Sequence, residues 1–195
     1  MTGVQTCALP ICSGFADCHA LKSIKLPNGI QRVESYMFCG CRALTNIEMP
    51  SSIKSIGDST FSFCSALESV TIPDSVESIG NGAFINCTSL TSLTLPSGLK
   101  NIKKAAFYYC KNLSSIVCRA LIPPTVGSNA FYHVNDSIPV YLCGLTSVDV
   151  YKAADGWKNF KNLIAAGTPT VKLASSNSTT CDLPLLKPLR LDYSN

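Results

Sequence analysis

The chain has 195 residues, 46% of them hydrophobic and only 14% charged, with sixteen Lys and Arg against twelve Asp and Glu for a net charge of +4. Charges this sparse, against the usual ~25%, exclude a fully disordered chain and a coiled coil, and their even spread offers no basic patch for nucleic acid. No run reaches the ~18 apolar residues that a membrane helix needs, which leaves eleven cysteines as the feature to explain: a disulfide scaffold, a metal protein, or something else.

In chain order, Met1–Cys12 (MTGVQTCALPIC) contains no Lys or Arg and so lacks the n-region of a secretory signal. Met1–Ile11 reads as translated sequencing adapter. On that reading residues 1–12 are an artefactual leader, Cys7 and Cys12 are not native, and the true N-terminus is missing.

From residue 13 a period of 23 takes over. Cys18, Cys41, Cys64, Cys87 and Cys110 recur at that spacing, each preceded by three positions by Phe15, Phe38, Phe61, Phe84 or Phe107. Each is followed by three positions by Leu21, Leu44, Leu67, Leu90 or Leu113. Next come Ile24, Ile47, Val70, Leu93 and Ile116, and Pro27, Pro50, Pro73 and Pro96 close the stretch. A period of 20–29 with L-x-x-L-x-L is the signature of a leucine-rich repeat. Ile24 and Leu26 alternate with Ser23 and Lys25, which predicts a short strand with one buried face. Proline stops that strand because it has no N–H for a ladder. Apolar pairs such as Ile30 and Val33, or Ile53 and Ile56, return the chain across the core, and Gly57 and Gly80 permit a tight turn. One coil cannot bury its own apolar face; stacking coils buries it and pairs their strands in parallel. The predicted fold is therefore a repeat solenoid, a leucine-rich repeat with 23-residue coils whose five repeats span residues 13–117.

After Ile116 the pattern decays, and residues 118–165 read as a degenerate repeat and C-terminal cap. Asn129-Ala130-Phe131 echoes the Ala-Phe step of earlier coils, and Ile138–Leu142 is expected as a last strand. Ser147 can cap a short helix over Val148–Ala154 that Gly156 terminates, and Trp157 is expected to open a second helical piece to about Ile164. Tyr151, Trp157, Phe160 and Leu163 are placed to cover the end of the stack. Residues 166–195, rich in Ser, Thr and Pro, read as a tail or linker, the alternatives being the start of a further module or frame-shifted sequence.

The cysteine ladder is expected to be structural, one small apolar side chain filling the same slot in each coil. A linear row of thiols does not converge on one point as zinc ligands must. Cys118 and Cys143 end adjacent predicted strands and leave a disulfide open. His19 and His133 have no spacing that aims a base at a thiol, and no G-x-S-x-G, H-E-x-x-H, P-loop or G-x-G-x-x-G occurs. No catalytic residue, cofactor or metal is assigned from the sequence, and no enzyme is expected.

What remains is the outward face of the strands: Ser23 and Lys25, Asn46 and Glu48, Ser69 and Thr71, Ser92 and Thr94, then Ser115 and Val117. The first eight are the candidate ligand-binding residues, on the extended concave surface that solenoids of this kind use. The face carries hydroxyls and few charges, without the exposed aromatics and Arg of a strong hot spot.

The repeat F-x-x-C-x-x-L-x-x-I-x-I-P resembles the BspA-like (Treponema-type) leucine-rich repeats of bacterial surface proteins, and Tyr151–Phe160 (YKAADGWKNF) resembles the closing segment of such proteins in Bacteroidetes. The resemblance implies a secreted or cell-surface location and a non-enzymatic role in adhesion, with host matrix or cell-surface proteins, glycans or other microbial surfaces as partners. A structural spacer, an intracellular recognition scaffold and an accessory domain of an enzyme stay open as alternatives.

Overall fold

The computed structural model describes residues 14–143 and 148–166. The elements are β1 (Ser23–Lys25), β2 (Arg32–Val33), β3 (Asn46–Glu48), β4 (Ser55–Ile56), β5 (Ser78–Ile79), β6 (Ser92–Leu95), β7 (Asn101–Ile102), β8 (Ser115–Cys118), β9 (Thr125–Val126), β10 (Pro139–Cys143), α1 (Val148–Ala153) and β11 (Asn162–Ala166). Every pairing is parallel, and each residue meets its equivalent in the next coil, as in Ser23↔Asn46 and Leu93↔Ile116. Stacked repeats of nearly identical sequence produce this register, because any slip would turn the apolar set outward.

Each coil has three sides. The first is the predicted strand side, where β1 pairs with β3 and β6 is followed by β8, β10 and β11. Between these two runs the third coil contributes only Thr71, bridged to Thr94. The second side is a sheet of five two-residue strands in the order β2-β4-β5-β7-β9. Its inward residues Val33, Ile56, Ile79 and Ile102 are buried and β-branched, as strands prefer. The sequence marks these positions only as a returning apolar pair, since two residues cannot display an alternating period.

The third side carries the framework phenylalanines. Six rings, from Phe15 through Phe38, Phe61, Phe84 and Phe107 to Phe131, stack with centroids 5.1 to 5.5 Å apart and planes within 19° of parallel. Residues two before and two after each ring tend to adopt positive φ, as at Ser59 (51°) and Phe63 (61°) around Phe61. The backbone N–H groups of Ser59, Phe61 and Phe63 donate to carbonyls of the next coil at 2.8, 2.7 and 2.8 Å. A third hydrogen-bond ladder thus joins the coils where neither α nor β structure is present, and it consumes donors that a buried turn would otherwise leave unmet.

The cysteine slot is not purely apolar. The thiols of Cys41, Cys64, Cys87 and Cys110 donate to the carbonyl oxygens of Phe15, Phe38, Phe61 and Phe84 in the preceding coil, at 3.0 to 3.2 Å. Each of these four thiols is buried and unoxidised, whereas Cys18, expected in the same slot, is exposed, because no described coil precedes it to cover it. Cysteine fits because it is small and apolar enough for the core while its S–H reaches an oxygen that alanine would leave to one donor fewer. Gly57 and Gly80 also differ from expectation: neither has positive φ. A Cβ on Gly80 would lie 2.5 Å from the Gly57 carbonyl carbon and oxygen, so closeness between coils, not a left-handed turn, demands glycine there.

At the C-terminal end α1 stops one residue earlier than predicted, and Gly156 follows with φ +83°. Ser147, the expected helix cap, lies outside the described residues, as do the 1–12 leader and nearly all of the 166–195 tail. The helical piece expected from Trp157 to Ile164 is instead a turn followed by β11, which pairs with β10 over five residues from Pro139↔Asn162 to Cys143↔Ala166. Pairing with a waiting sheet edge outweighs the weak local helical preference of this stretch. Tyr151 and Trp157 are fully buried over the last coil, the tyrosine hydroxyl donating to Ala120 O at 2.8 Å and the indole N–H to Pro124 O at 2.9 Å. Phe160 is buried beside them, and Leu163 packs against the core. The open disulfide is not formed: Cys118 is in register with Leu142, so Cys143 falls one residue beyond it, and the Cys118 sulfur lies 3.3 Å from the Tyr151 hydroxyl.

Gly156 holds this closing segment on the stack. A Cβ there would lie 2.5 Å from Val126 side-chain carbons, and its φ disfavours any other residue. Gly156→Ala is expected to cost about 1–3 kcal/mol through clash and strain. Urea denaturation followed by Trp157 fluorescence measures it, and an unchanged midpoint would show that the segment is not anchored there.

Candidate functional site

The outward positions of the strand side form two columns, because alternation along a strand sends every second side chain to the same face. One column runs Ser23, Asn46, then Ser92, Ser115, Pro139 and Asn162, with Ser69 at the equivalent position of the third coil. The other runs Lys25 and Glu48, then Thr71, Thr94, Val117, Tyr141 and Ile164. The eight residues singled out in the sequence therefore lie on one side, in two runs separated by the break before Thr71. Seven of them are exposed and Thr94 is half-buried.

Charge on this face is largely cancelled. Lys25 and Glu48 pair at 3.2 Å in full exposure, which contributes little to stability and leaves no net field. The hydroxyls of Ser23, Ser69, Thr71, Ser92 and Thr94 make no side-chain hydrogen bond to other described residues, so they are available to a ligand. The neighbouring column behaves differently: Thr45, Thr91 and Ser114 donate to Lys22 O, Glu68 O and Thr91 O of the preceding coil, at 3.1, 3.4 and 2.9 Å. Two sets of hydroxyls one residue apart thus have different jobs, one tying coils together and one facing solvent.

The sequence reading misses the C-terminal end of the face. Tyr141 stands in register between Val117 and Ile164, all three half-buried, so an aromatic residue flanked by two branched aliphatics ends a column that begins with charges and hydroxyls. The outward orientation of Tyr141 was legible from the alternation Pro139-Val140-Tyr141-Leu142. Its partner Ile164 was not, since it depends on β11.

Both histidines have other partners. His19 Nδ1 lies 2.9 Å from Gly40 O, and His133 sits among tyrosine rings. Burial pushes the Cys41 thiol up to about 11 and those of Cys64 and Cys110 up to about 12, the opposite of what activates a thiolate. Among the described residues no group of three or more His, Cys, Asp and Glu is arranged to hold a metal, and no helix is long and apolar enough to cross a membrane.

The profile of the family described as "BspA type Leucine rich repeat region" matches residues 12–137 in six copies. Among solved structures, the chain is similar to a leucine-rich repeat protein of Treponema pallidum at 23% identity and TM-score 0.54, covering 73% of this chain and 72% of that one. It is also similar to the pneumococcal vaccine antigen PcpA at 21% identity and TM-score 0.57, covering 75% of this chain and 40% of that one. At these identities the likeness is one of fold. A search of curated proteins gave no significant match.

Proposed function

The chain belongs to the BspA-type leucine-rich repeat family, and from that premise we propose that it is the interaction domain of a secreted or surface-attached adhesin that grips a protein partner through its strand face. The family is typically non-enzymatic, and the domain is a repeat scaffold for protein interaction. The observation that carries the adhesive reading is the column Val117–Tyr141–Ile164. A half-buried tyrosine between aliphatics supplies area that can be desolvated at low entropic cost, and the hydroxyls of Thr94, Ser92 and Ser115 form a polar rim around it. Ser23, Lys25, Asn46, Glu48, Ser69 and Thr71 extend the same face and add complementarity rather than binding energy.

Binding of the purified protein to immobilised matrix-protein extract and to whole bacterial cells, measured by interferometry, tests this. Tyr141→Ala is expected to weaken binding at least about tenfold, while Ser78→Ala on the second sheet leaves it unchanged. Equal loss from both variants, or none from Tyr141→Ala, would remove the strand face from the mechanism. Absence of binding to every surface would favour the spacer.

A further inference from the structure

The third side of the last full coil ends differently from those before it. In the fifth coil the N–H groups of Ala105, Phe107 and Tyr109 donate to Ser128 O, Ala130 O and Tyr132 O at 3.0, 2.8 and 2.9 Å. The equivalent groups of the sixth coil are those of Asn129, Phe131 and His133, and none of the three meets an acceptor among the described residues. All three residues line a cavity of about 280 Å³ whose far wall is Gly156, Asn159 and Phe160. The side-chain amides of Asn129 and Asn159, which also line it, make no hydrogen bond to other described residues. Asp136 borders the cavity with its carboxylate already taking Lys161 Nζ at 3.0 Å and the Ser137 hydroxyl at 3.1 Å.

An aromatic shelf adjoins the cavity. Tyr132 and His133 line it edge to face, with ring centroids 4.2 Å apart and planes 73° from parallel, and Tyr108 and Tyr109 join them at 5.3 Å from Tyr132 and 4.1 Å from His133. The repeat is its own control here. The two positions after the framework phenylalanine are Ala16 and Asp17, Cys39 and Gly40, Ser62 and Phe63, Ile85 and Asn86 in the first four coils. Only the fifth and sixth place two rings there, so the fold does not require them. Tyr109 and His133 hold φ of 63° and 64° and are exposed, as is Phe63 at the equivalent position of the third coil with φ 61°, so it is the pairing of two adjacent rings, not the backbone conformation, that sets the fifth and sixth coils apart.

We propose that this cavity and shelf form a saccharide subsite. Sugar hydroxyls accept from the three N–H groups and exchange hydrogen bonds with the Asn129 and Asn159 amides, while the apolar C–H face of a pyranose lies on the Tyr132 ring, with the His133 ring, set edge to face against it, at its side. The N–H groups without an acceptor among the described residues span only Asn129 to His133, a short edge for an added peptide strand. The volume lies near the lower end of ligand cavities, roughly 300 Å³ upward, and suits one ring. The site is on the phenylalanine side, so it stands or falls independently of the strand face.

The test is an amide NMR titration of the whole chain with the methyl glycosides of glucose, galactose and mannose, with N-acetylglucosamine, and with a tetra-alanine peptide. At least one sugar at tens of millimolar is expected to shift the Asn129, Phe131 and His133 amides. Tyr132→Ala and, separately, the exposed-residue variant Asn159→Ala are expected to weaken that response at least about tenfold, and Phe63→Ala to leave it intact. The proposal is overturned if none of the four sugars moves these amides, if the shifts survive both variants, or if only the peptide produces them.

Discussion

Between pH 9 and pH 12 the protein is expected to lose its fold cooperatively. The thiols of Cys64 and Cys110 are raised by burial from the ordinary 9.0 to about 12, and burial drives Cys87 well above its ordinary value. The folded chain therefore keeps these protons above pH 9 while the unfolded chain releases them. The unfolded state then binds fewer protons, and stability falls as pH rises, at about 1.4 kcal/mol per pH unit for each such thiol. Three thiols in one ladder give roughly 4 kcal/mol per unit, enough over two units to exhaust much of the ~5–15 kcal/mol of a typical domain. Below pH 9 the contribution is fully present and flat. Circular dichroism and Trp157 fluorescence against pH, under reductant, would follow the transition, and Cys87→Ala should flatten the slope by about 1.4 kcal/mol per pH unit in this window, where Cys41, raised to about 11, and Cys118 add to the other thiols. A fold that persists unchanged to pH 12 would mean the ladder is open to water.

Phe84→Ala is expected to cost about 3–5 kcal/mol, as for aromatic truncations in cores generally. Phe84 is fully buried, with Phe61 and Phe107 stacked on its two faces at 5.1 and 5.2 Å. Truncation opens a gap at the middle of a six-ring column, and the coils on either side meet only through their neighbours. Denaturation should therefore lose cooperativity as well as midpoint, with a lower m-value or two separable steps. Phe84→Leu, which refills most of the volume, should recover much of the loss. A midpoint shift worth less than about 1 kcal/mol would place the core's cohesion elsewhere, in the range of an ordinary surface change.

These two expectations draw on different levels of legibility. The columns of Phe, Cys and Leu were readable at once because a 23-residue period repeats each physical requirement five times, so a framework position announces itself without any structure. The strand face followed from alternation, and the inward set Ile47, Leu93 and Ile116 is buried where the pattern placed it. The second sheet was invisible as sheet, since two-residue strands exist only through their neighbours. The thiol-to-carbonyl bonds were equally hidden: the sequence shows that a small residue recurs, not which oxygen lies above it.

The C-terminal end shows the limit most clearly. Trp157 to Ile164 has no period to follow, and its fate was decided by β10 offering an unpaired edge to Asn162–Ala166. Its sequel, the seat of Ile164 beside Tyr141, exists only because of that pairing. The same holds for the cavity lined by Asn129, Phe131 and His133, which arises where no further coil among the described residues accepts their N–H groups. By itself the sequence determined the solenoid, its period, its core columns and one solvent face, because each of these is a local requirement repeated coil after coil. Tertiary structure alone decided how the stack is closed, which backbone donors meet no acceptor among the described residues and that Ile164 stands beside Tyr141, because those depend on contacts between segments that share no repeat.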